Sequence, residues 1–270
     1  MPEPDADTTI VVGVDHRPAS EDALALGRLL AAATGARVVP ATVSPSSGSE
    51  DDPPPVADAR RVESSSPAKG LHELAEAERA GIVVLGSTDR GTAGRIYPGS
   101  VAERLLSGAP CAIAVAPRGY ARRETDRLRV IEVGFDGSPE SRHALGIARE
   151  LALASGGTMR IFAAFETGPD ELGPLGVEAR DELAEALRAA VEEIPEEVRP
   201  LGRLVDGNPV EVLATQAEAG VDLLVLGSRS YGPLRAALLG GVSAKVLRRA
   251  PCPVLVVPRG RGEEARARSI

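Results

Sequence analysis

Short apolar runs alternate with amphipathic stretches along most of the chain. In the second half the runs Leu128–Phe135, Thr158–Phe165, Pro200–Val205, Asp222–Leu226 and Pro253–Val257 read as strands. Between them, helices are predicted at about Ser138–Ala154, Val177–Glu193, Pro209–Ala219 and Gly241–Arg249. In the second of these, Val177, Leu183, Leu187, Val191 and Ile194 recur at helical spacing. Continuous apolar strands separated by helices predict buried parallel strands joined by crossovers, a doubly wound α/β layer.

The pattern occurs twice. Ile82-Val-Val-Leu-Gly-Ser87 recurs as Leu223-Leu-Val-Leu-Gly-Ser228, and the Ala-Pro-Cys ending at Cys111 recurs at Cys252. Gly86 to Gly227 and Cys111 to Cys252 are both 141 positions, whereas Val12-Gly-Val-Asp15 and Val133-Gly-Phe-Asp136 are 121 apart. The second copy therefore carries about twenty extra residues after its first strand, and the helix around Leu183 and Leu187 supplies them. The first copy has Ser44–Pro55 instead, acidic and ending in three prolines, which cannot sustain a helix. Pro40, inside Val38–Val43, is a further mark of erosion, since central strands rarely accept proline. The expected division is a disordered tail over 1–8, a degenerate first domain over 9–118, a linker over 119–127, a second domain over 128–259 and a disordered tail over 260–270.

Composition narrows the function. A chain of 270 residues with 43% hydrophobic and 26% charged residues is globular, of a size for two domains. Aromatics at 2% and a net charge of −8 argue against a nucleic-acid surface. No apolar run is long enough to cross a bilayer and the acidic start does not resemble a signal peptide, so no membrane association and a cytoplasmic address are expected. Cys111 and Cys252 are too few for a disulfide scaffold and fit as buried small hydrophobes. His16, His72 and His143 show no ligand spacing, and His143 fits a surface or boundary position, so no metal site is expected. The two lysines, Lys69 and Lys245, lie in no P-loop, and no Gly-x-Ser-x-Gly elbow occurs; the chain is not expected to be an enzyme.

Candidate chemistry gathers at strand ends of the second copy. Asp136-Gly137-Ser138-Pro139 ends its first strand, with Ser138 as helix N-cap and Pro139 at the first helical position. Taken alone, such a sequence is an ordinary strand-to-helix turn. Gly227-Ser-Arg-Ser230 ends its fourth strand, and a loop leads to Gly240, Gly241, Val242 and Ser243 at the start of the last helix. A glycine-rich loop feeding a helix N-terminus binds anions, and in an open parallel sheet ligands sit where strand order reverses.

These residues carry a resemblance. The chain from Ile10 to Pro258 resembles two universal stress protein domains in tandem. The resemblance implies Rossmann-like domains of strand order 3-2-1-4-5, a role in the stress response, and an adenine-nucleotide-binding regulatory module. ATP is the implied ligand, with AMP and cyclic AMP as alternatives and Mg as an accompanying ion. Nucleotide-binding members carry Gly-x-x-Gly, nine residues, then Gly-Ser/Thr. Here the second copy has Gly227 and Ser230, nine residues, then Gly240 and Gly241; the first has Gly86 and Asp89, nine residues, then Gly99 and Ser100. The family's strand-one Asp corresponds to Asp136 and Asp15, and its adenine-facing strand-two position to Phe165 and Val43. The site is expected in the second copy, over Asp136, Gly137, Ser138, Phe165, Gly227, Ser230, Gly240, Gly241, Val242 and Ser243. In the first copy Asp15, Val43, Gly86, Asp89, Gly99 and Ser100 form a degenerate counterpart. A carboxylate at Asp89 about 4 Å from a phosphate would cost on the order of 4 kcal/mol at an effective dielectric of 20, unless a divalent cation bridged them. The alternative function is a nucleotide-free stress scaffold that uses the fold for dimerisation and for binding a protein partner. The two copies are expected to pair as an intramolecular pseudo-dimer through Ala112–Ala116 and Pro253–Val257, and a homodimer of whole chains is open.

Overall fold

A computed structural model describes residues 8–45, 54–88, 92–108, 110–123, 125–166, 174–228 and 241–258. Asp89, Ser230, Gly240 and the tails expected to be disordered lie outside the described residues, except Thr8, which accepts the Arg37 N–H at 3.0 Å.

The first half runs β1 (Thr9–Gly13), α1 (Ala19–Thr34), β2 (Arg37–Ser44), β3 (Arg60–Glu63), α2 (Pro67–Ala77), β4 (Ala80–Gly86), α3 (Ser100–Leu106) and β5 (Ala112–Ala116). The second runs β6 (Val130–Phe135), α4 (Pro139–Ser155), β7 (Thr158–Phe165), α5 (Pro174–Glu192), β8 (Leu201–Asp206), α6 (Pro209–Ala217), β9 (Leu223–Gly227), α7 (Gly241–Arg249) and β10 (Val254–Val257). Helix ends follow local chemistry. Ser138 and Asn208 cap α4 and α6 with proline just inside, and Gly35 and Gly156 close α1 and α4 in the left-handed conformation.

All strands join one ten-stranded sheet in the order β3-β2-β1-β4-β5-β10-β9-β6-β7-β8. Each half has the order 3-2-1-4-5 and is parallel throughout; the halves meet where β5 and β10 pair antiparallel, Val115 with Val254 and Ile113 with Val256. The apolar last strands, which would be exposed edges in separate domains, thus cover each other. Two cores flank the sheet. Ile10, Val12, Ile131 and Val133 face α1, α4 and α5, and Val11, Val83, Leu224 and Val254 face α2, α3, α6 and α7. Among the described residues no helix is long and apolar enough to cross a membrane.

No helix is described between β2 and β3, where α5 stands in the second half. Val56 and Ala59, just past the prolines, pack on the core in its stead. Arg37 of β2 and Arg60 of β3 both reach Glu78 at the end of α2, Arg37 at 2.6 Å. Hydrogen bonding from Arg37, with Arg60 adding to it, holds the Glu78 carboxyl below the usual carboxylate range despite partial burial.

Pro40 requires a correction, because β2 runs through it unbroken, opposite Val12. Arg37 donates its N–H to Thr8 on the β1 side, and alternation turns the Pro40 nitrogen towards β3. Pairing with β3 begins only at Ala41, so the proline leaves no ladder bond unmade. Cys111 and Cys252 are buried and in no disulfide, and His143 is exposed on α4.

Candidate nucleotide crevice

β6 lies between β7 and β9, so strand order reverses at its carboxyl end. Asp136, Gly137 and Ser138 form the turn there. The Ser138 N–H and hydroxyl both donate to Asp136 Oδ1, the N–H at 3.1 Å, and the Ser138 hydroxyl accepts the Ser141 N–H at 3.2 Å. Gly137 has φ +77°, a left-handed turn that favours glycine. A side chain at Gly137 would come within 3.9 Å of Leu183 and Ala186, so α5 roofs this turn.

Gly227 ends β9 beneath the first turn of α4. A Cβ on it would stand 2.7 Å from the backbone carbonyl of Glu140. Ser243, buried in the first turn of α7, donates its hydroxyl to the Gly227 carbonyl at 2.9 Å. Two helix N-termini, those of α4 and α7, therefore converge on one residue at the end of β9. Gly241 is exposed with open space around its Cα, while the Val242 side chain packs inward on the core. Both residues can offer backbone N–H groups, whereas the Ser243 hydroxyl is already engaged.

Phe165 and Val43 do not hold equivalent places in the two halves. Thr158 donates to Arg129 on the β6 side and the Phe165 carbonyl accepts from Gly207 on the β8 side, at 2.8 Å each. Even-numbered residues of β7 thus face β6, and Ala164 directs its peptide groups past Phe135, the last residue of β6. Phe165 corresponds to Ser44, whose carbonyl likewise accepts from Ser64 at 3.1 Å. The counterpart of Val43 is Ala164, 121 positions on. Val43 and Phe165 each end an apolar run, but hydrogen-bond direction separates them. At the rim, Arg180 of α5 grips Asp206 at the end of β8, Nε to Oδ1 at 2.9 Å and Nη2 to Oδ2 at 3.3 Å. These bonds hold the Asp206 carboxyl below its ordinary range. Glu166 accepts from the Asn208 amide at 3.1 Å.

The first half repeats part of this. Arg17 donates its N–H to Asp15 Oδ1 at 2.9 Å, and its guanidinium stands 3.7 Å from Oδ2. Ser20 braces the strand end by exchanging hydrogen bonds with the Asp15 backbone at 2.7 Å, and Ser141 accepts from the Asp136 N–H at 3.4 Å. Neither serine was singled out from sequence, although both lie five residues after the aspartate in each copy. α1 begins after Pro18 without a side-chain cap, and His16, where the second copy has Gly137, has no left-handed backbone. A Cβ on Gly86 would stand 2.0 Å from the Ala19 carbonyl oxygen, so this glycine serves helix packing. Gly99 precedes α3, Ser100 opens it, and the buried Ala102 occupies the position of Ser243. The loop is closed internally instead: Ser87 Oγ accepts the Tyr97 N–H at 2.7 Å, and the Tyr97 carbonyl accepts the Thr88 N–H at 2.9 Å. Among the described residues no group of three or more His, Cys, Asp or Glu side chains is placed to hold a metal ion.

The fold defines a class, an α/β protein in which two Rossmann-like units share one sheet and each reverses its strand order at the end of its first strand. The Universal stress protein family model matches residues 50–117 and 128–258, and the chain belongs to that family. A universal stress protein of Mycobacterium tuberculosis is 32% identical over 199 residues, 70% of this chain and 68% of its own length. One from Thermus aquaticus is 37% identical over 136 residues, 48% of this chain and 98% of its own length. Among solved structures, a universal stress protein from Archaeoglobus fulgidus superposes with a TM-score of 0.60 at 19% identity, covering 95% of this chain and all of its own; this likeness is one of fold.

Proposed function

We propose that the protein is a non-catalytic, adenine-nucleotide-binding regulatory module of the stress response, with its site in the second half. The observation that carries this reading is the convergence of the α4 and α7 N-termini on Gly227. Two positive dipole ends and the N–H groups of Gly241 and Val242 there suit the phosphates of ATP. The exposed Asp136 carboxylate suits a ribose hydroxyl, and the Ala164 peptide groups suit the base edge, with Leu183 and Ala186 as an apolar wall. AMP and cyclic AMP would share the nucleoside contacts and differ at α7. The state of the crevice would then alter the surface offered to a protein partner.

Isothermal titration with ATP, AMP and cyclic AMP tests this. One site per chain is expected, with Asp136→Ala weakening it about tenfold, roughly the 1.4 kcal/mol of one hydrogen bond, and Asp15→Ala leaving it unchanged. No heat at millimolar concentration of any of the three would remove the reading. The nucleotide-free scaffold would then stand, supported by the β5–β10 seam, which uses the fold for pairing alone.

A further inference from the structure

Glu132 lies in the middle of β6 with 0% of its surface exposed, and neither carboxyl oxygen has a hydrogen-bond partner among the described residues. Its counterpart 121 positions earlier is Val11, also wholly buried. A carboxylate at a valine position is costly unless it is protonated or paired. Directly across on β7 stands Arg160, but its Nη1 donates to the Ala219 carbonyl at the end of α6, at 3.0 Å. β9 offers the apolar Leu224, and Asp222 just before it accepts the N–H groups of Arg129 and Val130 at 2.7 and 2.9 Å. Before β10, the Cys252 thiol is pushed up to about 12, by burial first and the charge of Glu132 next. Arg123 donates to the Pro251 carbonyl at 2.9 Å, and Tyr120 belongs to the core on the other side of the sheet. α6 turns Leu213 and Ala217 inward, while Glu211 and Glu218 pair with Arg249 and Arg95 at 2.9 and 3.0 Å.

We propose that Glu132 and Arg160 form a proton-controlled latch on α6. With the carboxyl neutral, Arg160 stays on the carbonyl end of the helix. On ionisation the guanidinium is drawn across the strand pair to Glu132, and the Ala219 end of α6 is released. Glu218, the neighbour of Ala219, holds Arg95 of the first half, so the release reaches the seam. Burial pushes the Glu132 carboxyl up to about 8, with Arg160 opposing the shift. The folded state therefore holds its proton over a range where the unfolded chain has lost it. This loss of stability is absent below the ordinary carboxylate value and grows as pH rises towards 8.

Thermal unfolding of the full chain between pH 5 and 9 tests the charge. The Tm of Glu132→Gln should exceed that of wild type by a gap that widens by roughly 5 °C across this range. Hydrogen exchange tests the latch. Above pH 8 the Glu218 and Ala219 amides, bonded to Thr215 and Gln216, should exchange faster in wild type than in Glu132→Gln at the same pH, and equally at pH 5.5. Arg160→Gln should exchange fast there at both pH values. Parallel Tm profiles, or α6 exchange indifferent to Glu132, would overturn the proposal. Should Glu132→Gln fail to fold, carboxyl carbon NMR of the wild-type protein decides: a midpoint near 8 is expected, and an ordinary carboxylate midpoint overturns the proposal.

Discussion

The two halves have the same strand order and opposite investments. The second half retains α5, a capped α4, a left-handed Gly137 and a Ser243 that fastens α7 to the end of β9. Among the described residues the first half shows none of these, yet its strands are as well buried, and its loop around Tyr97 is bound both internally and to its neighbour. Asp22 shows the difference most clearly. It is 5% exposed on α1 and accepts the N–H groups of Gly119 and Ala121 at 2.8 Å each, anchoring the segment that leads to the second half. Its counterpart 121 positions on is His143, exposed and outside the core. The two frames share strand order and differ in what is built on them: the second carries the capped turn at Asp136 roofed by α5, the first the anchor of the linker turn.

At the strand-end glycines the two halves should behave alike. Gly86→Ala drives a Cβ against backbone and should destabilise by about 3–5 kcal/mol, and Gly227→Ala, with a longer contact, by about 2–3 kcal/mol, both measured by urea unfolding. If either is neutral, helix packing is not why glycine stands there. A smaller effect should separate the halves. Asp22→Ala leaves two N–H groups of the linker turn without their acceptor and should cost about 2–3 kcal/mol, whereas His143→Ala should stay within about 0.5 kcal/mol. Equal losses would mean that the linker anchor is not specific to the first half. The smallest effect concerns the contact between halves. Arg95 binds Glu218 at 3.0 Å and the Arg249 carbonyl, both in exposed positions. Arg95→Ala should cost less than about 1 kcal/mol, and the cost should shrink with added salt. A loss that is larger and indifferent to salt would show the loop to be a structural strut of the second half.

Much of this was legible from residue order. The 141-residue and 121-residue spacings exposed the duplication, and the prolines after Ser44 mark where the first copy departs from the second, with no helix described between β2 and β3. Predicted elements of the second half fall within a few residues of those observed because each carries its own cap and periodicity. That Ala164, and not Phe165, is the counterpart of Val43 was not legible, because peptide direction at a strand end depends on where the neighbouring strand stops. Ser243 was placed in the site by its type, but the structure turns its hydroxyl onto Gly227. Glu132 had a signal that went unused, since the repeat aligns it with Val11.

Residue order alone was enough for the repeated unit, the alternation of strand and helix, the proline-rich departure of the first copy after Ser44 and the glycines that strand ends require. Each is a local property, written within one turn, one strand or one repeat length. Packing of the folded chain sets Val115 against Val254, lets Asp22 hold a turn nearly a hundred residues away, and leaves Glu132 without a hydrogen-bond partner among the described residues while Arg160 reaches elsewhere. Those outcomes depend on distances between groups far apart in the chain, and on which acceptor a side chain can reach once the sheet is closed.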